Sequence, residues 1–258
     1  MLNVARLAAS LMCSLLAVAA SAAAPDLTTV AERSKFQRTG RYAEVEKLCA
    51  AFQAQWPNAI RCVEFGRTPE GRTMYALIAS TSGTLEPEQA RQANRPVVVM
   101  QGAIHARESD GKDAGFLALR EMLEGRAAKG ALDRLTFVFI PVLNVDGHER
   151  MGRWNRPNQV GPEEMGWRTN ALNLNLNRDY TKADAPEMQA LLRLLETWDP
   201  ILYVDLHVTD GAEFQHDVAY LVEPTLAGDE PLRSVGNALK DELLQRMTAA
   251  GSLPLDFY

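Results

Sequence analysis

Basic residues are outnumbered in this chain, 27 lysines and arginines against 33 aspartates and glutamates, and the formal net charge is -6. A sequence-independent nucleic-acid binder needs a basic surface to displace counterions from phosphates, so the balance argues against that class. Long apolar runs are also missing beyond the first two dozen residues, which argues against a membrane-spanning segment in the rest of the chain. Neither internal repeats nor low-complexity segments occur after the leader. What remains is ordinary globular composition, 47% hydrophobic and 23% charged, and one domain is expected over residues 25–258.

The single long apolar run lies at the start: Arg6, then Leu7 to Ala20, then the small residues Ser21-Ala22-Ala23-Ala24 before Pro25. A charged start, a short apolar stretch and a small-residue junction form a secretory signal peptide, here residues 1–24. The mature protein is therefore expected to be secreted or periplasmic, with no stable membrane insertion. Cys13 follows the bulky Met12 inside the run and is not read as a lipid-attachment site. Export leaves Cys49 and Cys62, which either pair in an oxidising compartment or serve as two small buried hydrophobes.

Tyr42, Val45, Leu48, Cys49, Phe52 and Trp56 recur at helical spacing before Pro57, which predicts an amphipathic helix from Arg41 to Trp56. Two short strands, Ile60 to Phe65 and Met74 to Ala79, flank a glycine- and proline-containing turn and read as a hairpin. Apolar runs at Val97 to Gln101, Leu135 to Val142 and Ile201 to His207 have the character of strands buried on both faces. Helices are expected near Gly111 to Leu123, Ala185 to Trp198 and Pro231 to Ala250, with a short strand at Val218 to Val222. The alternation predicts an α/β protein, a three-layer α/β/α sandwich around a mixed, mostly parallel sheet. The polar stretch from Asn144 to Asn177 is longer than an ordinary connection, and loops of that length in compact domains tend to be functional.

Three polar clusters fall at strand ends or in that loop. His105-Ala106-Arg107-Glu108 places a histidine and a carboxylate three residues apart, able to turn inward on one divalent ion. Alone, the pair reads first as a solvated histidine beside a surface ion pair. Tyr203-Val204-Asp205-Leu206-His207 ends an apolar strand in a second histidine, where a parallel neighbour would also end. Three protein ligands with an open position are the arrangement of catalytic zinc sites. Asp205 shares a face with His207 and reads either as support for that ligand or as a satisfied core aspartate. Asn177-Arg178 sets an amide beside a guanidinium, suited to holding a carboxylate or to a salt bridge with Asp179 or Asp184.

The order of these pieces resembles the zinc carboxypeptidase family that includes carboxypeptidase A: an apolar strand, His-x-x-Glu, Asn144-Val145-Asp146-Gly147 after the next strand, Asn-Arg, then Asp-x-His. Phe65-Gly66-Arg67-Thr68-Pro69-Glu70-Gly71-Arg72 is similar to a turn of the same family. The likeness runs from about Tyr42 to about Tyr220. It implies zinc as cofactor, held by His105, Glu108 and His207, and a peptide substrate whose terminal carboxylate meets Asn177 and Arg178. Arg107 matches an arginine that touches substrate. Arg168 is the better match for the arginine that polarises the scissile carbonyl, with Arg156 second. His148 and His216 match no ligand.

The resemblance also implies a general-base glutamate well beyond the third ligand, with a tyrosine between them. Glu213 and Glu223 come too early for the glutamate, and Tyr258 lies at about the distance of the tyrosine. The base and the last strands of the sheet are thus expected beyond Tyr258, which leaves an open sheet edge. The activity implied is that of a metallocarboxypeptidase. An amidohydrolase of the same broad fold acting on N-acyl amino acids, and a zinc-binding but non-catalytic peptide-binding module, stand as alternatives.

Overall fold

The computed structural model describes residues 25–209, 211 and 214–256. The expected leader, Glu213 and Tyr258 lie outside the described residues. The chain divides into two compact units, one ending at residue 207 without residues 156–160, the other comprising residues 156–160 and those from 208 onward.

The first unit holds helices α1 (Val30–Arg33), α2 (Tyr42–Gln55), α3 (Pro87–Gln92), α4 (Asp110–Leu123), α5 (Ala131–Arg134), α6 (Val145–Glu149) and α7 (Pro186–Trp198). Its strands are β1 (Ile60–Arg67), β2 (Thr73–Ala79), β3 (Val97–Gly102), β4 (Thr136–Ile140) and β5 (Leu202–Leu206), in the sheet order β1-β2-β4-β3-β5. The β1/β2 and β2/β4 pairings are antiparallel, while β3 runs parallel to both β4 and β5. The sheet is therefore mixed, with β1 and β5 as its edges among the described residues.

Both faces of this sheet are covered, since every residue of β4 is buried although successive side chains point to opposite sides. On one face, Phe116 of α4 sits edge-on to Phe139 of β4, with ring centroids 5.3 Å apart, and tilts against Phe52 of α2 at 5.9 Å. On the other, α7 packs on β1, where Gly66 makes room for Ala190; a Cβ at Gly66 would stand 2.5 Å from that of Ala190. The predicted α/β layering follows from these contacts.

Helix α2 buries Tyr42, Val45, Leu48, Cys49 and Phe52, the stripe read from the sequence. Cys49 and Cys62 form a disulfide between α2 and β1, with Cα atoms 5.4 Å apart. In the second unit, α8 (Glu230–Ala249) accompanies a two-stranded parallel ladder of β6 (Val218–Ala219) and β7 (Pro254–Leu255). Among the described residues no helix is long and apolar enough to cross a membrane.

Candidate metal centre

The parallel register of β3 and β5 sets Gly102 opposite Leu206, so both strands deliver their next residues to one carboxyl edge of the sheet. Ligand sites in open α/β sheets lie at such edges. Beyond Gly102 the chain must turn at once, and it does so at Ala103, which is fully buried with φ of 52°. That left-handed conformation is unusual for a residue with a side chain. Two close approaches fix the turn. A Cβ on Gly102 would lie 2.7 Å from the Pro141 carbonyl oxygen, and one on Gly111 would lie 2.6 Å from the Leu206 side chain. The segment from 103 to 109 is thereby pressed over the strand ends, and His105 and Glu108 point inward, 3% and 2% exposed.

His105, Glu108 and His207 converge so that one donor atom from each lies within 4.8 Å of the others. The histidine rings stand 5.3 Å apart, centroid to centroid. His207 turns Nδ1 toward Glu108 Oε2 at 3.0 Å and Nε2 toward Asp205 Oδ2 at 3.1 Å. His105 meets the Asn177 amide through Nε2 at 3.3 Å, while its buried Nδ1 has no protein partner. A buried ring nitrogen without a partner is costly, and a divalent ion beside Glu108 and His207 Nδ1 would satisfy it. The donor set, two imidazoles and a carboxylate, fits zinc.

The two histidines are tuned in opposite directions. Burial pushes His105 down to about 4, partly countered by the Glu108 carboxylate, so it is neutral near pH 7 and offers a lone pair. His207 is pushed up to about 9 by its hydrogen bonds to Asp205 and then Glu108, so in the metal-free chain it pairs with those acids as a cation. A metal ion would replace that charge.

Arg168 approaches the centre, with Nη1 4.0 Å from Glu108 Oε1. Its backbone is held by Asn144, whose Nδ2 donates to the Arg168 carbonyl at 3.1 Å while its Oδ1 accepts from the Gly147 amide at 3.0 Å. Arg156 is almost wholly buried and donates to the Thr209 carbonyl at 2.6 Å. Arg107 is partly buried, with Nη1 3.4 Å from the Asn155 carbonyl.

Arg178 is exposed and donates to the Asn177 carbonyl at 2.7 Å. Neither neighbouring acid is paired with it: Asp179 accepts the Asp184 and Ala185 amides at the start of α7, and Asp184 pairs with Lys182. His148 is buried and bonded to the Gly40 carbonyl at 2.9 Å, and His216 lies in the second unit. Glu223, also in the second unit, is exposed.

Two groups at this edge were given no role from the sequence, although Asn144 opens the Asn144-Val145-Asp146-Gly147 motif. Asn144 caps α6 and holds Arg168, and Gln101, fully buried, donates from Nε2 to Asp205 Oδ1 at 2.9 Å. A polar residue ending an otherwise apolar strand was the one clue to the second.

The zinc carboxypeptidase family profile matches residues 45–249. The chain belongs to this family. Carboxypeptidase D of Homo sapiens is 26% identical over 204 residues, 76% of this chain and 13% of that protein. An inactive metallocarboxypeptidase of Saccharomyces cerevisiae is 33% identical over 124 residues, 44% of this chain and 28% of that protein. Among solved structures, carboxypeptidase A from Helicoverpa armigera superposes with a TM-score of 0.58 at 21% identity, covering 82% of this chain and 55% of that one. A metallo-carboxypeptidase from Burkholderia cenocepacia gives 0.57 at 25% identity, covering 76% and 49%. The chain thus spans about half the length of these solved zinc carboxypeptidases and a smaller share of the curated relatives.

Proposed function

We propose that this zinc carboxypeptidase family member is a secreted or periplasmic metallocarboxypeptidase that removes C-terminal residues from peptides. The observation that carries the reading is the meeting of His105, Glu108 and His207 from two separate strand ends, with Arg168 beside them. The three residues would hold the metal, with the partnerless His105 Nδ1 and the His207 Nδ1 that faces Glu108 as the nitrogen donors. Zinc bound there would act as a Lewis acid on the scissile carbonyl and lower the pKa of a water.

Two further roles fall to side chains. Arg168, steadied by Asn144, faces the position where negative charge develops on the carbonyl oxygen and stabilises it. Arg178, exposed and not committed to Asp179 or Asp184, accepts the substrate's terminal carboxylate, with the Asn177 amide next to it. Arg107 lines the approach. Residues 25–258 belong to the secreted domain after loss of the leader.

The test is release of free C-terminal amino acids from peptides, with and without a zinc chelator. The expected result is release that the chelator abolishes and added zinc restores. Arg168→Ala should lower kcat by about 10² to 10³. Release of acyl groups from N-acyl amino acids without peptide cleavage would instead establish the amidohydrolase. Similarity to an inactive metallocarboxypeptidase of yeast favours one further reading, a zinc-binding protein without turnover. Bound zinc with neither product would establish it.

A further inference from the structure

A chain of polar groups runs away from His207 into the sheet, on the face that α7 covers. Gln101 and Asp205 are direct neighbours across the β3/β5 ladder, and Tyr203 lies two residues before Asp205 on the same face. Gln101 Nε2 donates to Asp205 Oδ1 at 2.9 Å, and Tyr203 Oη donates to Gln101 Oε1 at 2.9 Å. Tyr180 Oη lies 2.8 Å from Tyr203 Oη. At the other end, Asp205 Oδ2 faces His207 Nε2 at 3.1 Å.

Only one set of proton positions satisfies all of these contacts. An ionised carboxylate accepts and never donates, so Gln101 must turn its NH2 toward Asp205 and its oxygen toward Tyr203. Tyr203 then spends its single proton on Gln101 and can only accept from Tyr180. By the same rule His207 carries a proton on Nε2 toward Asp205 and, with no metal present, one on Nδ1 toward Glu108. A metal beside Glu108 would take the place of the Nδ1 proton and leave the ligating lone pair there. Burying the Gln101 amide needs one acceptor for its NH2 and one donor for its oxygen, which Asp205 and Tyr203 supply. The uniform polarity over four side chains goes further, because it ends on the ring nitrogen that does not face the metal.

We infer that Gln101, Tyr203 and Tyr180, acting through Asp205, are positioning residues that lock His207 in the tautomer and ring orientation a zinc ligand needs. The inference rests on the reading of His207 as a ligand. Hydrogen-bond partners behind a ligating histidine change metal affinity when removed, typically by about 10 to 100-fold.

The experiment measures zinc affinity by competition with a chromophoric chelator, together with the visible absorption of the cobalt-substituted protein, for His207→Ala, Asp205→Asn, Gln101→Leu and Tyr203→Phe. Asp205→Asn should weaken zinc by about 100-fold and Gln101→Leu by about 10-fold, with a smaller loss for Tyr203→Phe. The cobalt bands should shift in all three. An ordered decline along the chain is the outcome that separates positioning from general support of the sheet. If Gln101→Leu does not fold, Tyr203→Phe, which keeps the ring and its packing, decides on the same two readouts. Wild-type affinity and an unchanged cobalt spectrum in the folded Gln101 or Tyr203 variant, with zinc lost in His207→Ala, would overturn the inference. Zinc retained in His207→Ala would overturn the ligand reading instead.

Discussion

Two buried polar clusters stand side by side where the segment after β3 enters α4, and they are built on opposite principles. In one, the fully buried Lys112 bonds Glu44 Oε2 at 2.9 Å and Asp113 Oδ1 at 2.7 Å. The other Glu44 oxygen accepts the Val30 amide at 2.6 Å, and the other Asp113 oxygen accepts the Thr39 hydroxyl at 2.7 Å. Every carboxylate oxygen of this cluster has a donor, so it is closed. In the other cluster His105 Nδ1 is buried without a protein partner, and His207 and Glu108 face the same point. A closed cluster contributes to folding; an open one is completed only by a ligand.

The largest expected effect breaks the closed cluster. Lys112→Met leaves two carboxylates facing each other in the interior, and removing one partner of a buried ion pair costs about 3 to 5 kcal/mol. Denaturant unfolding of the metal-free protein should show that loss. Unchanged stability would mean that Glu44 and Asp113 are not charged together.

The open cluster should answer differently. Zinc at about 1,000 times its Kd stabilises a protein by about 4 kcal/mol, because only the folded state binds it. His105→Ala should remove that zinc-dependent gain, and the metal-free protein should lose only what the buried ring's packing and its Nε2 contact to Asn177 contribute. Thermal melts with zinc and with chelator measure both quantities. A His105→Ala variant that is as strongly stabilised by zinc as the parent would remove His105 from the ligand set.

Much of this was legible in the sequence, and the difference between the clusters explains what was not. His105, Glu108 and His207 follow apolar strands, and family motifs occur in order around them, so their convergence was predictable. Lys112 and Asp113 occupy the first turn of α4, where charged residues ordinarily read as a solvated surface. Only packing against Glu44 of α2 makes them interior. The turn resembling the family's Gly-x-Thr-x-Glu-Gly-Arg motif was read, but not its contact: the Thr68 hydroxyl and Arg72 guanidinium both reach the buried Asp146 of α6, at 2.8 Å and 2.6 Å. Helices α3, α5 and α6 are too short to show a period, and β7 is two residues long. Asp179 and Asp184 were candidate partners for Arg178, yet local amides and Lys182 take them. Short-range competition of that kind is invisible to spacing.

The disulfide provides a control that touches neither cluster. It links α2 to β1 across a separation of 13 residues. Closing a loop of about that size lowers the entropy of the unfolded chain by about 3 kcal/mol on the chain-entropy account. Cys49→Ala with Cys62→Ala should lower stability by about that amount with zinc affinity unchanged. A parallel loss of zinc affinity would show that global stability, and not the open cluster, sets the metal response.

Glu187 lies between the two extremes and gives the smallest expected effect. It is fully buried at the start of α7, and its oxygens meet one side-chain donor group, the Asn170 amide, at 3.2 and 3.4 Å. Burial raises its pKa above the ordinary glutamate value, a rise that its backbone and Asn170 hydrogen bonds only partly offset. The folded protein therefore holds this proton more tightly than the unfolded chain does. Its contribution to stability is complete below the unfolded value near 4.5 and is lost as pH climbs through the raised folded value. Glu187→Gln cannot ionise and keeps an oxygen for Asn170, so it should match the parent at low pH and become the more stable of the two as pH rises. Denaturant midpoints of the metal-free proteins, taken across pH 4 to 7, read the gap. A parent that gains on the variant with rising pH would show that Asn170 and the helix start stabilise the carboxylate more than burial opposes it, and Glu187 would then join Lys112 among the closed sites.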